Sequence, residues 1–567
     1  MKAYILSAFI MVACLDGLFG QINHWSWESH PVGGGPREPY EPVCAADGEG
    51  NVIVSGVFTS PTFSVDTFTL NYVSPTFGNN LFLVKYNNTG GVAWAKSAWG
   101  DGSVNPYSIT ADAAGNIYVV GWFLRDSMVL GNTVLHAPGA LFLNGYQDWF
   151  AIKLDPQGNV IWATTQDVTS LGVLLPQSIA TDELGNVLLV GYVNTQYGPF
   201  IWQGDTVVNQ TIGTQDILWA KLDSNGHLLW HINYGTTGFL SGAYANCGDG
   251  HGNQYIGGGF VNHITLGSFH LTGPSNYSGL YLAKVNASGT VLWAKGAAAN
   301  QFGFINTVRT DASGNIFVAG FYNDTLSLGN FTINSGPAGN AGMFIARYDA
   351  SGNVKWLSNL AHNNAGPEPL LFDSAGELLV AGETIDSVLI AGSDTFRNPD
   401  YANGMIFLQA FNPANGQLLW ANAYPGGGLA LGNACSDPNG DVFMVGRFNS
   451  DSLQVNNYLF TDTITPAYAY FVVGQRFLTT SAVTAINTPA PLKIYPNPGN
   501  GLFAIEADGE TGTSQIVISD ITGRPVHEHA ITAFPTIISL SGMARGVYIV
   551  DVINSSGSFQ RGKVVIE

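Results

Sequence analysis

Charge is what this 567-residue chain has least of: Asp, Glu, Lys and Arg together make up 11%. Only 20 residues are Lys or Arg against 40 Asp or Glu, a formal net charge of −20. So thin a cationic inventory excludes a nucleic-acid backbone as partner, because neutralising phosphates needs clustered Lys and Arg. It suits instead a solvated acidic surface on a secreted protein. Cysteine is scarce too. Cys14, Cys44, Cys247 and Cys435 are too few and too widely spaced for a disulfide framework or a zinc signature. No apolar run beyond the N-terminus is long enough for a transmembrane helix. A GxSxG elbow, a P-loop, a dinucleotide fingerprint and an HExxH pair are all missing. No catalytic, cofactor-binding or metal-ligating residue is therefore assigned, and no cofactor is expected.

Present in quantity are Gly (70 residues) and aromatics (12%). With little charge, that composition suits short strands joined by tight turns. The N-terminus reads as a signal peptide over residues 1–20: Lys2, an apolar run from Ala3 to Cys14, then Gly17 to Gly20. Cleavage after Gly20 leaves Gln21 first; lipoprotein processing at Cys14 stays open as the alternative. After cleavage three cysteines remain, read as small buried hydrophobes. A Cys44–Cys435 bridge is possible only if the first and last repeats become neighbours.

Those repeats are the chain's main signal. The pattern D-x-x-G-N-x-x-x-x-G occurs seven times, at Asp47, Asp112, Asp182, Asp249, Asp311, Asp373 and Asp437, spaced 62 to 70 residues apart. Its second Gly is Gly56, Gly121, Gly191, Gly258, Gly320, Gly382 or Gly446; the Asn slot becomes Glu377 and Asp441 in the last two copies. Asp bonding backbone amides and Gly supplying a positive φ predict a tight turn entering a buried strand. A second Asp/Gly turn follows in most copies, as at Asp155, Asp223 and Asp349, between a strand carrying Lys85, Lys153, Lys221, Lys284 or Arg347 and one carrying Trp94, Trp162, Trp230, Trp293, Trp356 or Trp420. Four strands per repeat, seven times over, predict a seven-bladed β-propeller, which hides its sheet edges by radial repetition. The seventh copy lacks its Trp strand, while Trp27 stands 20 residues before Asp47, against 17 to 20 in the complete cases. Trp27 is therefore expected to supply the last blade's outer strand and close the ring.

These units resemble the SBBP-type propeller repeats of bacterial secreted proteins, over residues 21–478; the resemblance implies a fold and no chemistry. Residues 479–491, small and Pro-containing, read as a linker. Residues 492–567 form a small all-β module, expected to be a β-sandwich, that carries Tyr495, Pro496, Asn497 and Pro498, then Gly523, then Gly546 and Tyr548, then Lys563 near the end. In that order these motifs resemble the type A sorting domain of the type IX secretion system of Bacteroidota. The resemblance implies export across the outer membrane by that machinery, with the tail removed or used for surface attachment, and so a secreted or cell-surface protein.

The repeated Asp turns offer one carboxylate each, too few for a calcium loop, and read as turn caps. The histidines around repeat four (His227, His231, His251, His263, His270) lack a metal-ligand spacing. The recurring Lys reads as a turn-pairing or snorkelling residue, with a row lining the channel as the functional alternative. Asp126-Ser-Met, Asp324-Thr-Leu, Asp386-Ser-Val and Asp451-Ser-Leu sit where a hairpin must turn and also resemble a Bacteroidota O-glycosylation motif. The leading functional expectation is a non-enzymatic binding or adhesion module for an extracellular glycan or protein. A channel-mouth lyase or hydrolase, or a passive matrix component, is the alternative. An enzyme would gather His, Arg, Glu or Tyr from different blades, with perturbed pKa values, on one face. Loops that differ between blades, such as residues 195–210 and 401–405, are where such residues are sought.

Overall fold

The computed structural model describes residues 26–29, 31–32, 41–74, 78–136, 147–210, 215–236, 241–273, 278–297, 302–335, 341–360, 369–384, 387–392, 394–398, 404–426, 430–448, 452–455, 458–461, 469–475, 492–506, 514–520, 525–531, 535–554 and 559–567. The expected signal peptide, the linker and Gly523 lie outside the described residues. The chain divides into two compact units, Met1–Leu478 and Thr479–Glu567. Every described regular element is a strand.

In the first unit each repeat makes an antiparallel sheet in chain order, as with Val173–Thr181, Val187–Asn194, Asp216–Leu222 and Leu228–Tyr234. The second and third strands are apolar almost throughout, and Val52–Phe58 and Asn80–Tyr86 are buried at every position. That is the pattern of a strand covered on both faces, here by the sheets on either side. The clusters between sheets confirm it: Tyr118 and Val120 of one repeat share a core with Val187 and Leu189 of the next.

First strands of successive repeats lie side by side. Val104–Ala111 contacts Val43–Ala46 and Val173–Thr181, and Gly242–Gly248 lies between Val173–Thr181 and Gly303–Thr310. Val43–Ala46 of the first repeat also lies against Ala430–Ser436 of the seventh. The seventh repeat's sheet takes its outer strand from Trp27–Ser29, with Trp27 opposite Gly474 on Ala469–Gln475.

One feature escapes the four-strand reading. Between second and third strands every repeat inserts a two-stranded hairpin, such as Thr325–Leu328 with Phe331–Asn334. In repeats two, four and five this hairpin touches its own outer strand and the preceding repeat's. In repeat two it is hydrogen-bonded there, Val129 opposite Trp99. Edge strands that would otherwise offer unpaired amides are thereby covered. Asp126 and Asp324 stand at the start of such hairpins, the latter at φ 67°, so they are turn residues. Asp386 and Asp451 lie outside the described residues.

The second unit has a three-stranded sheet built on Leu502–Glu506 and a four-stranded sheet built on Ser514–Ser519 and Gly546–Asn554. Phe503, Ile505 and Ile538 of one pack with Ile516, Val550, Val552 and Val564 of the other in a single core.

Candidate functional site at the irregular end of the repeats

The two ends of each sheet differ chemically. At one end sit the repeated turns. Each Asp accepts, through Oδ1, the amides two and four residues on: Leu184 at 3.0 Å and Asn186 at 2.9 Å for Asp182, and likewise for Asp47, Asp112, Asp249, Asp311, Asp373 and Asp437. Oδ2 takes the Asn side chain or the third-strand cation in most copies, whereas the buried Oδ2 of Asp373 has no hydrogen-bond partner among the described residues. Lys85 lies 2.8 Å from Asp47, Lys221 2.9 Å from Asp182 and Lys284 3.1 Å from Asp249. Lys153 instead crosses the ring of Tyr118, whose hydroxyl donates to Asp112 at 2.8 Å. Burial alone would raise the Asp182 carboxyl, but bonds from Asn186 and Lys221 outweigh it and hold the group below its usual range. Asp373 has Glu377 in place of Asn, and burial, with the Glu377 charge, pushes it up to about 6. These side chains close turns on themselves and leave little for a ligand.

The Trp side chains join repeats. Trp94, Trp162, Trp230, Trp293 and Trp356 each donate Nε1–H to a carbonyl in the next repeat's third-to-fourth turn, at 3.0 to 3.2 Å. The Gly of that turn lies against the ring: a Cβ on Gly226 would meet Trp162 Cδ2 at 2.8 Å. Trp27 lies the same way on Gly90 of the first repeat, where a Cβ would meet its Cδ2 at 2.7 Å.

The other end is irregular. There the first strand carries a bulge in repeats two, three, four, five and seven, for example between Ile305 and Thr307. The bulge turns a carbonyl onto the motif's second Gly. A Cβ would sit 2.0 Å from the Asn105 oxygen at Gly121, 2.0 Å from that of Gly242 at Gly258 and 2.1 Å from that of Phe304 at Gly320. In the bulged repeats that carbonyl leaves no room for a side chain at this Gly, although none of these three has a positive φ; at Gly56 of the first repeat the Phe82 ring, 2.7 Å from a Cβ, fills the space instead.

The residue after that Gly is different in every repeat: Val57, Trp122, Tyr192, Gly259, Phe321, Glu383 and Arg447. In repeat five it belongs to a half-buried aromatic row completed by Phe304 and Tyr244 of the first strands of repeats five and four. Phe321 and Phe304 have ring centroids 5.6 Å apart, and Phe304 and Tyr244 5.6 Å. Burial, with the neighbouring Tyr192, pushes the Tyr244 phenol up to about 12, so it stays a hydrogen-bond donor.

In repeats six, seven and one the same end is ionised. Arg447 holds Glu41 with two nitrogens, Nη2 to Oε1 at 2.7 Å and Nε to Oε2 at 3.0 Å. Glu383 Oε2 accepts the Leu431 amide at 3.1 Å. Burial first, then the Glu41 charge, pushes Glu383 up to about 7, against the pull of Arg447. Burial likewise raises Glu41, more than its guanidinium partner lowers it. Two carboxyls and a guanidinium from three repeats thus meet at one end, beside the buried Tyr470, whose hydroxyl bonds the Val57 carbonyl.

None of these residues was singled out in the sequence, although the first position to differ after an invariant Gly was a visible signal. The loops that were singled out do other work. Residues 195–210 form the hairpin Phe200–Trp202 with Asp205–Val207, and Trp202 is buried edge-on against Trp149 at 4.6 Å. Of residues 401–405, Met405 is a buried strand residue and the first three lie outside the described residues. Among the described residues no three of His, Cys, Asp and Glu group as a metal would need.

In the second unit exposed Tyr495 ends the strand Lys493–Tyr495, and Pro496, Asn497 and Pro498 form an exposed bend after it. The Asn497 side chain pins it to the last strand, donating to the Lys563 carbonyl at 2.6 Å and accepting from the Val565 amide at 2.9 Å. Tyr495 donates to Glu506, and Tyr548 to the Ala544 carbonyl at 2.8 Å. Gly546 opens the strand Gly546–Asn554.

The molecule is thus an all-β repeat protein of propeller-like four-stranded sheets joined to a separate β unit. Residues 493–567 match the family described as the secretion system C-terminal sorting domain. This is the type IX tail, and it marks the chain for secretion or cell-surface export through that machinery. No helix among the described residues is long and apolar enough to cross a membrane. Over 455 residues the chain is 23% identical to an uncharacterized WD repeat-containing protein, L264, of Acanthamoeba polyphaga mimivirus, spanning 73% of this chain and 30% of that protein's length. Among solved structures it is similar to Sqt1 of Chaetomium thermophilum, with TM-score 0.37 and 8% identity over 76% of this chain and 95% of that one. Quinohemoprotein alcohol dehydrogenase of Comamonas testosteroni gives 0.34 and 10%, over 79% and 76%. Nothing about this chain's chemistry follows from likenesses at that level.

Proposed function

We propose that the chain is an exported, ring-closed seven-bladed propeller of SBBP type that binds an extracellular glycan at its irregular end. In this reading residues 1–20 are a Bacteroidota signal peptide, 21–478 the ring, 479–491 a linker and 492–567 the sorting domain. Closure is supported by Trp27, whose ring packs on Gly90 of the first repeat as the other Trp rings pack on the next repeat's turn glycine, though without their indole hydrogen bond among the described residues, and by the first and last repeats' inner strands lying side by side.

The observation that carries the glycan reading is the aromatic row Phe321–Phe304–Tyr244 at the same end of the repeats as Glu383, Arg447 and Glu41. Sugar rings present C–H faces that lie on aromatic rings, and hydroxyls that pair with carboxylates and guanidinium. These groups lie where the repeats differ, which is where recognition is free to vary on a repeated scaffold. The test is a polysaccharide panel scored for saturable binding and for depolymerisation, with the full exported chain. Saturable binding without chain cleavage is expected; no binding to any glycan overturns the reading.

A second reading has its own observation. Glu383, half-protonated near neutral pH, lies close enough to Glu41 to feel its charge, and a carboxylic acid beside a carboxylate is the equipment of glycoside hydrolysis. Depolymerisation abolished by Glu383→Gln, with binding retained, selects it over simple adhesion.

A further inference from the structure

The seam between the first and last repeats is lined by thiols. The strands Val43–Ala46 and Ala430–Ser436 run alongside each other between two further close approaches. At one end a Cβ on Gly432 would lie 2.2 Å from the Pro42 carbonyl oxygen, and at the other a Cβ on Gly50 would lie 2.7 Å from Asp437 Oδ2. Cys44 falls between Pro42 and Gly50 on one side, and Cys435 between Gly432 and Asp437 on the other. Both are buried in one apolar cluster with Trp27, Phe443 and Val445, where each thiol is near enough to the other to bear on its ionisation. Outside the cell thiols oxidise and disulfides persist.

We propose that Cys44 and Cys435 form a disulfide in the exported protein, a covalent clasp across the seam of the ring. Two thiols become one S–S bond. Two protons and two electrons pass to an external disulfide oxidant, a dithiol–disulfide exchange protein or oxidised glutathione, which leaves as two thiols. Burial pushes the Cys44 thiol well up, so little thiolate is present once the seam is shut. Exchange therefore takes place as the last sheet docks, before the thiols are enclosed. Cys247, buried in the fourth repeat with no thiol neighbour among the described residues, is the internal control.

The inference rests on the closure proposed above. The test is peptide mapping of the full chain, collected without reductant and alkylated after unfolding, with hydrogen exchange on the same preparation. A cross-linked Cys44–Cys435 peptide with Cys247 alkylated is expected. In thermal unfolding, reductant should lower the midpoint by about 5 °C, since the bond would close a very long loop. The Cys435→Ser variant should start at the lower value and not respond. Free Cys44 and Cys435 beside protected amides in Trp27–Ser29 overturn the clasp and leave the ring standing. Free thiols with unprotected Trp27–Ser29 amides overturn both.

Discussion

Substituting Ala for Gly320 tests why the repeat motif ends in glycine. Gly320 has no positive φ, so an added Cβ brings no left-handed strain, only collision. That Cβ would lie 2.1 Å from the Phe304 carbonyl oxygen and 3.0 Å from Ile305 Cα, both backbone atoms of the bulged strand. Relief requires the bulge to move by about 1 Å in a close-packed sheet, and overpacking of that kind costs roughly 1–3 kcal/mol, with backbone atoms as the obstacle placing this case at the upper end. The comparison is Gly314→Ala, in the turn of the same repeat. There φ is +76° and nothing lies within 4 Å of the new methyl, so only backbone strain of about 1 kcal/mol applies. Thermal unfolding followed by Trp fluorescence reads both. Gly320→Ala should lower the midpoint at least twice as far as Gly314→Ala. It should also weaken glycan binding, because the carbonyl it displaces belongs to Phe304. Equal shifts in the two variants refute the steric account of the motif.

Other perturbations reach the turns, the ionised cluster and the tail. Lys221→Met strands the Asp182 carboxylate, whose side chain is 5% exposed, and should cost about 3 kcal/mol in chemical denaturation, with Asp182→Asn added in the same chain recovering much of it. Because the folded Asp182 carboxyl titrates low, this pair stabilises above about pH 4 and its contribution fades as pH falls further, so the loss should shrink in acid. Glu383 works the other way. Its folded pKa is raised, so the folded state is penalised progressively from about pH 4.5 to 7; Glu383→Gln should be more stable than the parent at pH 8, by on the order of 2 kcal/mol, and equal to it at pH 4. Deleting residues 493–567 should keep the protein inside the cell envelope, read by immunoblot of culture fractions; undiminished export would contradict the role of the tail.

The parts legible in the sequence are those that repeat. The Asp turn is local chemistry, an acceptor two and four residues from its donors, so seven copies announce themselves. Trp27 was legible because its distance to Asp47 matches the internal copies. The inserted hairpins were not, because strands such as Thr325–Leu328 are short and bury only alternate residues. The bulge was hidden as well: the second Gly stands in all seven copies, whereas the bulge occurs in five, so the Gly does not by itself mark it. The candidate site was least legible. Glu41 lies hundreds of residues from Glu383 and Arg447, which are themselves one repeat apart, and no local pattern relates the three. Only the side-by-side placement of repeats six, seven and one brings them together.

The most direct measurement is glycan binding by the full exported chain and its Phe304→Ala and Tyr244→Ala variants, with Leu229→Ala, an exposed outer-strand residue, as the control. Each ring should be worth about 0.5–1.5 kcal/mol, a loss of roughly 2- to 13-fold in affinity, with folding unchanged by circular dichroism. Leu229→Ala should bind as the parent does. Binding that is indifferent to Phe304 and Tyr244, or no saturable binding to any glycan, would contradict the account.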